Sequence, residues 1–523
     1  MNELNLPKEA QHALEKAQHC VQKKDYGQAH KIFRSLLQVY PQNGEIHLVL
    51  GELYSVVEEF DLAISHLSQA CQRMPQDYRP IFSLMDTFEA VNAHADVTTL
   101  NDFMLVQFRQ SPEVLYKAAL HCSETGQFTK AKEYCKRCIA LCESSSKMVQ
   151  LLAYAWLLIL KLDASMHCSS SADQLIKLLE SQPKHSPQAM LLHYGIGEVF
   201  HHLGQTEKAF MQWQQANNIQ RMQANFDTQE LATFFGQIKS VHSPFTQHNK
   251  RLEHNKRLEH NNNANVEGPI LIFIIGLPRT GSTLLETLLS KHSAIESVAE
   301  TTIISEQLAR YFTQHFKQPY PLFMSALLQD SCENDTLLKN ARAIYDSAIK
   351  KRQLTAPYII DKLPANFQSI GLIKRVFPDA KIIHLSRNFD DVALSIFRHH
   401  FASNEPYFCD LSQLNVYHGF YQSLMAFWHK AFGSEIYRLH YEDLVQQPET
   451  LISQVLSYCD LEFEQACIYR QAADPAHTVQ DLHIKPIKTL SAVQVRAPIS
   501  NLSVGNAKPY KAMMNECLKG STD

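Results

Sequence analysis

Residues 271–286 read Leu271-Ile-Phe-Ile-Ile-Gly-Leu-Pro-Arg-Thr-Gly-Ser-Thr-Leu-Leu-Glu286, an order that predicts a buried strand, a tight turn and a helix. The apolar run ends at Gly276, and apolar residues at helical spacing begin after Gly281. A turn between a strand and a helix directs backbone N–H groups and the positive end of the helix dipole towards one point. The stretch therefore predicts an anion-binding loop.

This loop differs at one position from the loop that binds the phosphates of ATP. In that pattern, G-x-x-x-x-G-K-[ST], a lysine follows the second glycine. Gly276 and Gly281 match the glycines, but Ser282 occupies the lysine position and Arg279 supplies a cation inside the loop. We interpret the loop as a phosphate cradle for a nucleotide that donates a group other than its γ-phosphate.

Alternating strands and helices after the loop predict a parallel α/β sheet. Residues 380–387 and 434–440 are strand candidates, and a helical pattern follows each of them. Ligands of such sheets bind at the carboxyl ends of the strands, which is where Arg387 and the loop lie. We predict a P-loop-like α/β domain with a parallel sheet over residues 266–512.

The first part of the chain repeats with a period of 34 residues, which is typical of stacked pairs of antiparallel helices. A small alanine and an aromatic residue recur, so that neighbouring helices can approach closely. A further copy around Ala209 is out of phase, and the repeat around His94 is degenerate. The recurring positions are Tyr26, Ala29 and Pro41, then Phe60, Ala63 and Pro75, then Phe128 and Ala131.

A polar tandem duplication separates the two parts. Residues 248–263 contain His-Asn-Lys-Arg-Leu-Glu twice, followed by asparagines, which indicates a solvated linker rather than a metal or nucleic-acid segment. We predict an all-α repeat domain over residues 8–235, a polar linker over 236–265, and the α/β domain after it.

Composition narrows the function classes. The chain has 523 residues, 45% of them hydrophobic, with a net charge of −4, so nucleic acid is not an expected partner. Residues 1–21 lack the apolar core of a signal peptide, and the longest apolar runs are too short for a membrane segment. We therefore predict a cytoplasmic protein. Cys135, Cys138 and Cys142 share one helix face, which favours core packing over a zinc site.

Several motifs in this order resemble those of sulfotransferases, in particular tyrosylprotein sulfotransferases and their bacterial relatives with tetratricopeptide repeats. Residues 278–283 are similar to the loop that binds the 5′-phosphosulfate, and Arg387 with Ser395 is similar to the 3′-phosphate site. Tyr441-Glu-Asp-Leu-Val445 before a proline is also typical of the family. The resemblance implies 3′-phosphoadenosine-5′-phosphosulfate as the donor, a hydroxyl as the acceptor and no metal.

The resemblance also implies roles for single residues. Glu300 would be the catalytic base, and Lys362 in Asp361-Lys-Leu-Pro364 would face the leaving group. Arg279 would contact the sulfuryl end, and Ser491 would stabilise the donor from a closing segment. The residues that would bind the donor are Arg279, Thr280, Gly281, Ser282, Thr283, Arg387, Ser395, Arg496 and Lys508.

The chemistry of sulfuryl transfer agrees with these residue types. By analogy with phosphoryl transfer, cations at the transferring group carry much of the catalysis, and Arg279 and Lys362 suit that need. An acceptor hydroxyl must lose its proton as it attacks, which Glu300 would accept. Structural roles are the alternatives: a helix N-terminal acid for Glu300, an ion pair for Lys362 or Arg387, and a plain loop residue for Ser491.

Two other functions compete with this interpretation. One is a nucleotide kinase with a degenerate loop, against which Ser282 and the lack of a clear Mg²⁺-binding acid argue. The other is a repeat scaffold with an inactive nucleotide-binding domain. The resemblance favours a tyrosine in a protein or peptide as the acceptor, which the repeats could present to the site. A carbohydrate or small-molecule hydroxyl stays open.

Overall fold

The computed structural model describes residues 6–143, 146–222, 226–256, 268–329, 331–401, 405–468, 487, 495–496 and 499–518. The chain forms two compact units. The first comprises Met1–Ser145, Lys351–Gln353 and Pro475–Lys488, and the second comprises Ser146–Lys350, Leu354–Asp474 and Thr489–Asp523. The sheet and the predicted site residues that the structure describes lie in the second unit.

The described part of the first unit is helical. Successive helices pack in pairs, α1 on α2, α3 on α4 and α7 on α8, and each pair also contacts the next. The helices are α1 Lys8–Gln22, α2 Tyr26–Val39, α3 Gly44–Val56, α4 Phe60–Arg73, α5 Arg79–Ala90, α6 His94–Gln107, α7 Pro112–Glu124 and α8 Phe128–Cys142.

The alanines that recur in the sequence hold equivalent places in the structure. Ala29, Ala63 and Ala131 are each the fourth residue of the second helix of a pair, and each is 0% exposed. In the degenerate repeat, Val97 occupies that place in α6 and is also buried. The helix pairs therefore keep their packing where the sequence pattern fades.

The turns inside the pairs show the same period. Lys24, Glu58, Asn92 and Gly126 all have positive φ angles, of 59°, 60°, 59° and 80°, and each lies two residues before the second helix. One left-handed residue reverses the chain so that the second helix packs on the first. The prediction of an all-α repeat region is confirmed.

The second unit begins with five helices that precede the sheet. Gly204, with a φ of 72°, and the buried Ala209 reproduce the repeat geometry in the copy that the sequence shows out of phase. The helices are α9 Val149–Leu162, α10 Ser169–Glu180, α11 Pro187–His202, α12 Thr206–Arg221 and α13 Thr228–Lys256.

Helix α13 extends through much of the predicted linker. Ile238 and His242 are buried, and the His242 ring meets the Trp428 ring edge-on with 5.0 Å between ring centroids. This part of the predicted linker is therefore helical and packed, because its apolar face has a partner in the same unit. The boundaries of the three predicted regions stay predictions.

A five-stranded parallel sheet follows, in the order β2-β3-β1-β4-β5. The strand that carries the loop, β1, is central and buried from Leu271 to Gly276, which explains its continuous apolar run. The prediction of a parallel sheet is confirmed. The strands are β1 Ile270–Gly276, β2 Ile295–Ser297, β3 Tyr358–Asp361, β4 Lys381–Ser386 and β5 Ile436–His440.

Helices connect and cover these strands. A π-helix over Ile303–Leu308 precedes α15, and 3-10 turns such as Pro364–Ser369 join other elements. None of the helices in the described residues is long and apolar enough to cross a membrane. The remaining α-helices are α14 Ser282–Leu289, α15 Ala309–Phe316, α16 Met324–Leu327, α17 Cys332–Lys351, α18 Ile370–Val376, α19 Phe389–Phe397, α20 Leu411–Phe432, α21 Tyr441–Gln446, α22 Pro448–Tyr458 and α23 Lys511–Leu518.

Candidate active site

The loop after β1 has the strand–turn–helix geometry that its sequence predicts. Gly281 precedes the first residue of α14 with a φ of 97°, and a side chain there would collide with the ring of Tyr441. Thr280 donates a hydrogen bond from Oγ1 to the carbonyl oxygen of Leu277 at 2.8 Å, which closes the turn. Thr280, Ser282 and Thr283 are buried at the start of α14, where the helix dipole favours an anion.

Arg279 is held in a left-handed conformation inside this loop. Its φ is 69°, a region that costs on the order of 1–3 kcal/mol for a residue with a side chain. Its Nε donates to Ser395 Oγ at 2.8 Å, and its carbonyl oxygen accepts a bond from Arg387 Nη1 at 3.2 Å. Burial lowers the pKa of Arg279 to about 10, and repulsion from Arg387 adds to the effect. The guanidinium therefore remains charged at neutral pH and gains from a bound anion.

Two predicted catalytic residues meet on one side of the loop. Lys362 follows β3, is 1% exposed and lies with Nζ 2.6 Å from Glu300 Oε1. The Glu300 side chain follows β2 and is 50% exposed, so it is accessible to an acceptor. Lys362 Nζ also lies 3.3 Å from Glu286 Oε2 on α14. Burial alone would lower the pKa of Lys362, but Glu286 and Glu300 outweigh it and raise the pKa.

Glu286 is a residue that the sequence reasoning missed. Its other carboxylate oxygen, Oε1, accepts a hydrogen bond from Ser297 Oγ at 2.6 Å, so its position is fixed. The ammonium of Lys362 therefore forms ion pairs with two carboxylates, those of Glu286 and Glu300. An acidic residue one turn after the start of the helix that follows an anion-binding loop is unexpected. The position of Glu286 in the sequence could therefore have identified it as a candidate site residue.

The other side of the loop holds Arg387. Its side chain is 9% exposed and lies over the ring of Tyr441, with 4.5 Å between the guanidinium carbon and the ring centroid. Nη1 donates to the carbonyl oxygen of Arg279, and Nη2 donates to that of Ser503 at 2.5 Å. Neutral oxygens and an aromatic face orient this cation. Such an arrangement suits binding of a phosphate.

Asp391 ties a C-terminal segment to this side of the site. The buried carboxylate accepts hydrogen bonds from the backbone N–H of Gly505 at 2.7 Å and of Ala507 at 2.9 Å. Its Oδ2 also lies 4.0 Å from Arg387 Nη2. The sequence reasoning missed Asp391, although an acid at the start of the helix that carries Ser395 was visible.

Three predicted site residues remain, Lys508, Arg496 and Ser491. The exposed Lys508 follows Ala507, and its backbone N–H donates to the carbonyl oxygen of Gly505 at 3.1 Å. Arg496 is half-buried. Ser491 lies outside the described residues. The roles of these three residues stay predictions.

The strand order explains the division of the site into two sides. The loop follows the central strand β1, with β3 and then β2 on one side and β4 and then β5 on the other. Glu300 and Lys362 therefore share one side, and Arg387 and Tyr441 share the other. An anion in the loop would lie between a carboxylate–lysine pair and a cation, in the usual ligand position of such sheets.

The part of the chain that contains this site is similar to known proteins. The model of the Sulfotransferase family matches residues 269–465. An uncharacterized protein from Aquifex aeolicus is 31% identical over 253 residues, which are 47% of this chain and 32% of that protein. Human protein-tyrosine sulfotransferase 1 is 31% identical over 121 residues, which are 23% of this chain and 31% of that enzyme. The chain thus spans about a third of the length of either relative.

Solved structures also align with parts of this chain. The sulfotransferase domain from the curacin biosynthetic pathway aligns with 46% of this chain and 87% of its own, at 21% identity and a TM-score of 0.28. PilW, a type IV pilus biogenesis factor, aligns with 40% of this chain and 93% of its own, at 19% identity and a TM-score of 0.30. Residues 269–465 are therefore similar to the Sulfotransferase family, and a helical repeat region precedes them in the chain.

Proposed function

We propose that the protein transfers a sulfuryl group from 3′-phosphoadenosine-5′-phosphosulfate to the hydroxyl of a tyrosine in a protein or peptide. The observation that carries the proposal is the division of the site around one anion-binding loop. A lysine–carboxylate pair that an acceptor can reach lies on one side, and an oriented arginine lies on the other.

The donor fits the residues that surround the loop. The 5′-phosphate would accept hydrogen bonds from the N–H groups at the start of α14, between Thr280 and Thr283. The 3′-phosphate would bind Arg387, whose ion pair with Asp391 is long at 4.0 Å; the Asp391 carboxylate also accepts hydrogen bonds from Gly505 and Ala507. Ser282 at the lysine position of the loop favours this donor over ATP.

Transfer requires one bond to form and one to break. The acceptor oxygen bonds to sulfur, the sulfur–oxygen bond to the 5′-phosphate breaks, and 3′-phosphoadenosine-5′-phosphate leaves. Glu300 takes the proton of the hydroxyl, which is the role of a positioned general base. The ammonium of Lys362 lies 2.6 Å from Glu300 and can stabilise charge on the leaving oxygen as the proton moves.

Calorimetric titration tests the donor. We expect tight binding of 3′-phosphoadenosine-5′-phosphate and weak binding of ATP with magnesium. Weak binding of 3′-phosphoadenosine-5′-phosphate and tight binding of ATP with magnesium would instead support a nucleotide kinase. Binding of neither nucleotide would reject the enzyme and leave the repeats as the functional part.

A transfer assay tests the acceptor. Purified protein is incubated with the labelled donor and, in parallel, with tyrosine peptides, their phenylalanine counterparts, simple phenols and oligosaccharides. Label on tyrosine peptides but not on phenylalanine counterparts supports the proposal. Label on oligosaccharides alone would show that the acceptor is a carbohydrate and not a tyrosine. The assignment of sulfuryl transfer would then still hold.

A further inference from the structure

The C-terminal segment over residues 503–510 lies beside Arg387, and two side chains hold its first half. Arg387 Nη2 donates to the carbonyl oxygen of Ser503 at 2.5 Å. The carboxylate of Asp391 accepts two backbone N–H groups of the same segment, at 2.7 and 2.9 Å. Because one N–H group of Arg387 is bound to this segment, a shift of the segment would turn the guanidinium. The direction of Arg387 therefore depends on the position of residues 503–510.

The other end of this segment packs on the helix pair α11–α12, which has the repeat geometry. Tyr510 is 0% exposed, and its ring centroid lies 5.4 Å from that of Trp213 and 6.5 Å from that of Phe210, both on α12. The Tyr510 hydroxyl lies 2.6 Å from His201 Nδ1 on α11. The aromatic residue that ends the segment is therefore buried against both helices of the pair.

The hydrogen bond between His201 and Tyr510 has one fixed direction. Arg398 Nη1 lies 3.1 Å from His201 Nε2, and a guanidinium can only donate, so Nε2 is the acceptor. Burial lowers the pKa of His201 to about 4, and repulsion from Arg398 adds to the effect, so the ring is neutral at pH 7. Its proton is then on Nδ1. His201 therefore donates to the hydroxyl of Tyr510.

The same helix pair also holds the end of α19. Arg398 directly follows α19 and makes two contacts with Glu198 on α11, Nη2 to Oε1 at 2.5 Å and Nε to Oε2 at 3.3 Å. Asn217 on α12 is buried, and its Nδ2 donates to the carbonyl oxygen of Phe397 at 2.7 Å. A two-point contact between an arginine and a carboxylate fixes orientation as well as distance. The end of α19 is therefore fixed against both helices.

Both elements that α11–α12 holds carry groups of the candidate site. Helix α19 carries Asp391 and also Ser395, whose hydroxyl accepts a hydrogen bond from Arg279 Nε. Residues 503–510 supply the carbonyl oxygen that binds Arg387. Helices α11 and α12 belong to the same unit as the sheet, whereas α1 to α8 belong to the first unit. This pair of repeat-type helices therefore has contacts that can act on the site.

We propose that the helix pair α11–α12 positions residues 503–510 through His201 and Tyr510, so that Arg387 points towards the 3′-phosphate of the donor. This inference rests on the proposed function. His201 and Tyr510 are positioning residues, because they act through the segment and through Arg387. The repeat-type part of the chain then sets the affinity for the donor, in addition to any role in binding an acceptor.

The test compares two nucleotides that differ in the 3′-phosphate. Calorimetry with 3′-phosphoadenosine-5′-phosphate and with adenosine 5′-phosphate is run on the wild type and on Tyr510→Phe, which keeps the buried ring and removes the hydroxyl. We expect about fivefold weaker binding of the first nucleotide, the effect of one lost hydrogen bond, and little change for the second. The matched control is Tyr437→Phe, which removes a hydroxyl that donates to Gln454 at 3.2 Å on the outer strand β5. It should change neither affinity.

A second variant removes the same hydrogen bond from its other end. His201→Met should also weaken binding of 3′-phosphoadenosine-5′-phosphate more than binding of adenosine 5′-phosphate. The double variant with Tyr510→Phe should bind no more weakly than His201→Met alone, because both changes remove one shared interaction. Hydrogen exchange of the backbone N–H groups of residues 503–507 should rise in Tyr510→Phe, which measures the position of the segment directly.

The outcomes separate this inference from the proposed function. If the wild type binds neither nucleotide, the proposed function fails and this inference fails with it. If the wild type binds 3′-phosphoadenosine-5′-phosphate and Tyr510→Phe binds it equally well, the positioning role is wrong while the donor assignment stands. An equal loss for both nucleotides in Tyr510→Phe would also overturn the inference, because the hydroxyl would then support the fold and not the direction of Arg387.

Discussion

On the two sides of the loop after β1, the cations have different neighbours. On the side of β2 and β3, the ammonium of Lys362 is shared between Glu286 and Glu300, so that side carries an excess of negative charge. On the side of β4 and β5, carbonyl oxygens and the ring of Tyr441 hold Arg387, and its ion pair with Asp391 is long at 4.0 Å. The first arrangement suits proton transfer, and the second suits binding of a phosphate dianion.

This difference predicts that the two sides can be disabled separately. A variant on the side of Glu300 should lose turnover and keep nucleotide affinity. A variant on the side of Arg387 should lose affinity for the 3′-phosphate.

The largest effect is expected for Glu300→Ala. Loss of a general base should lower kcat by about 10²–10⁴-fold, because no positioned group then takes the proton of the attacking hydroxyl. Affinity for 3′-phosphoadenosine-5′-phosphate, measured by calorimetry, should stay within about twofold. The control is Glu306→Gln, an exposed acid further along the chain. Turnover of Glu300→Ala at the wild-type rate would show that Glu300 is not the base.

Arg387→Ala should weaken binding of 3′-phosphoadenosine-5′-phosphate about 100-fold, since charge-assisted bonds to a phosphate are lost. Binding of adenosine 5′-phosphate, which lacks the 3′-phosphate, should change much less. The exposed Arg310 provides the control variant Arg310→Ala. An equal loss for both nucleotides would contradict the assignment of the 3′ site.

Asp391→Asn should have a smaller effect of the same kind. Weaker hydrogen bonds to Gly505 and Ala507 would loosen the segment beside Arg387, and we expect about tenfold lower affinity for 3′-phosphoadenosine-5′-phosphate. Hydrogen exchange of residues 499–510 should rise in the same variant. The neighbouring Asp390, which pairs with Lys511 at 3.4 Å, serves as the control in Asp390→Asn. Unchanged exchange with unchanged affinity would show that the segment is held by other contacts.

The smallest effect concerns pH. The carboxylates raise the pKa of Lys362 above its ordinary value of 10.5, so the stability that its ion pairs provide is fully present below that value. It is lost only as pH rises through the raised pKa. The difference in urea unfolding midpoint between the wild type and Lys362→Met should therefore stay constant from about pH 7 to 9.5. A difference that shrinks over this range would show that the ammonium titrates early.

Much of the fold followed from local patterns. The buried alanines Ala29, Ala63 and Ala131 recur every 34 residues or a multiple, and the strand before Gly276 is an unbroken apolar run. These features are readable because helix pairs and buried strands repeat their packing requirements along the chain. The packing of α13 could not be predicted from the sequence, because polar residues dominate the second half of that helix.

The sequence by itself determined that an anion-binding loop follows a buried strand and that helix pairs precede it. Only the tertiary structure decided the neighbours of each charge: Glu286 beside Lys362, Asp391 beside the C-terminal segment, and α9 within the unit of the sheet. Local patterns arise from contacts between residues close in the chain. The state of a charge depends on groups that approach from distant segments, and a sequence pattern does not specify their distance.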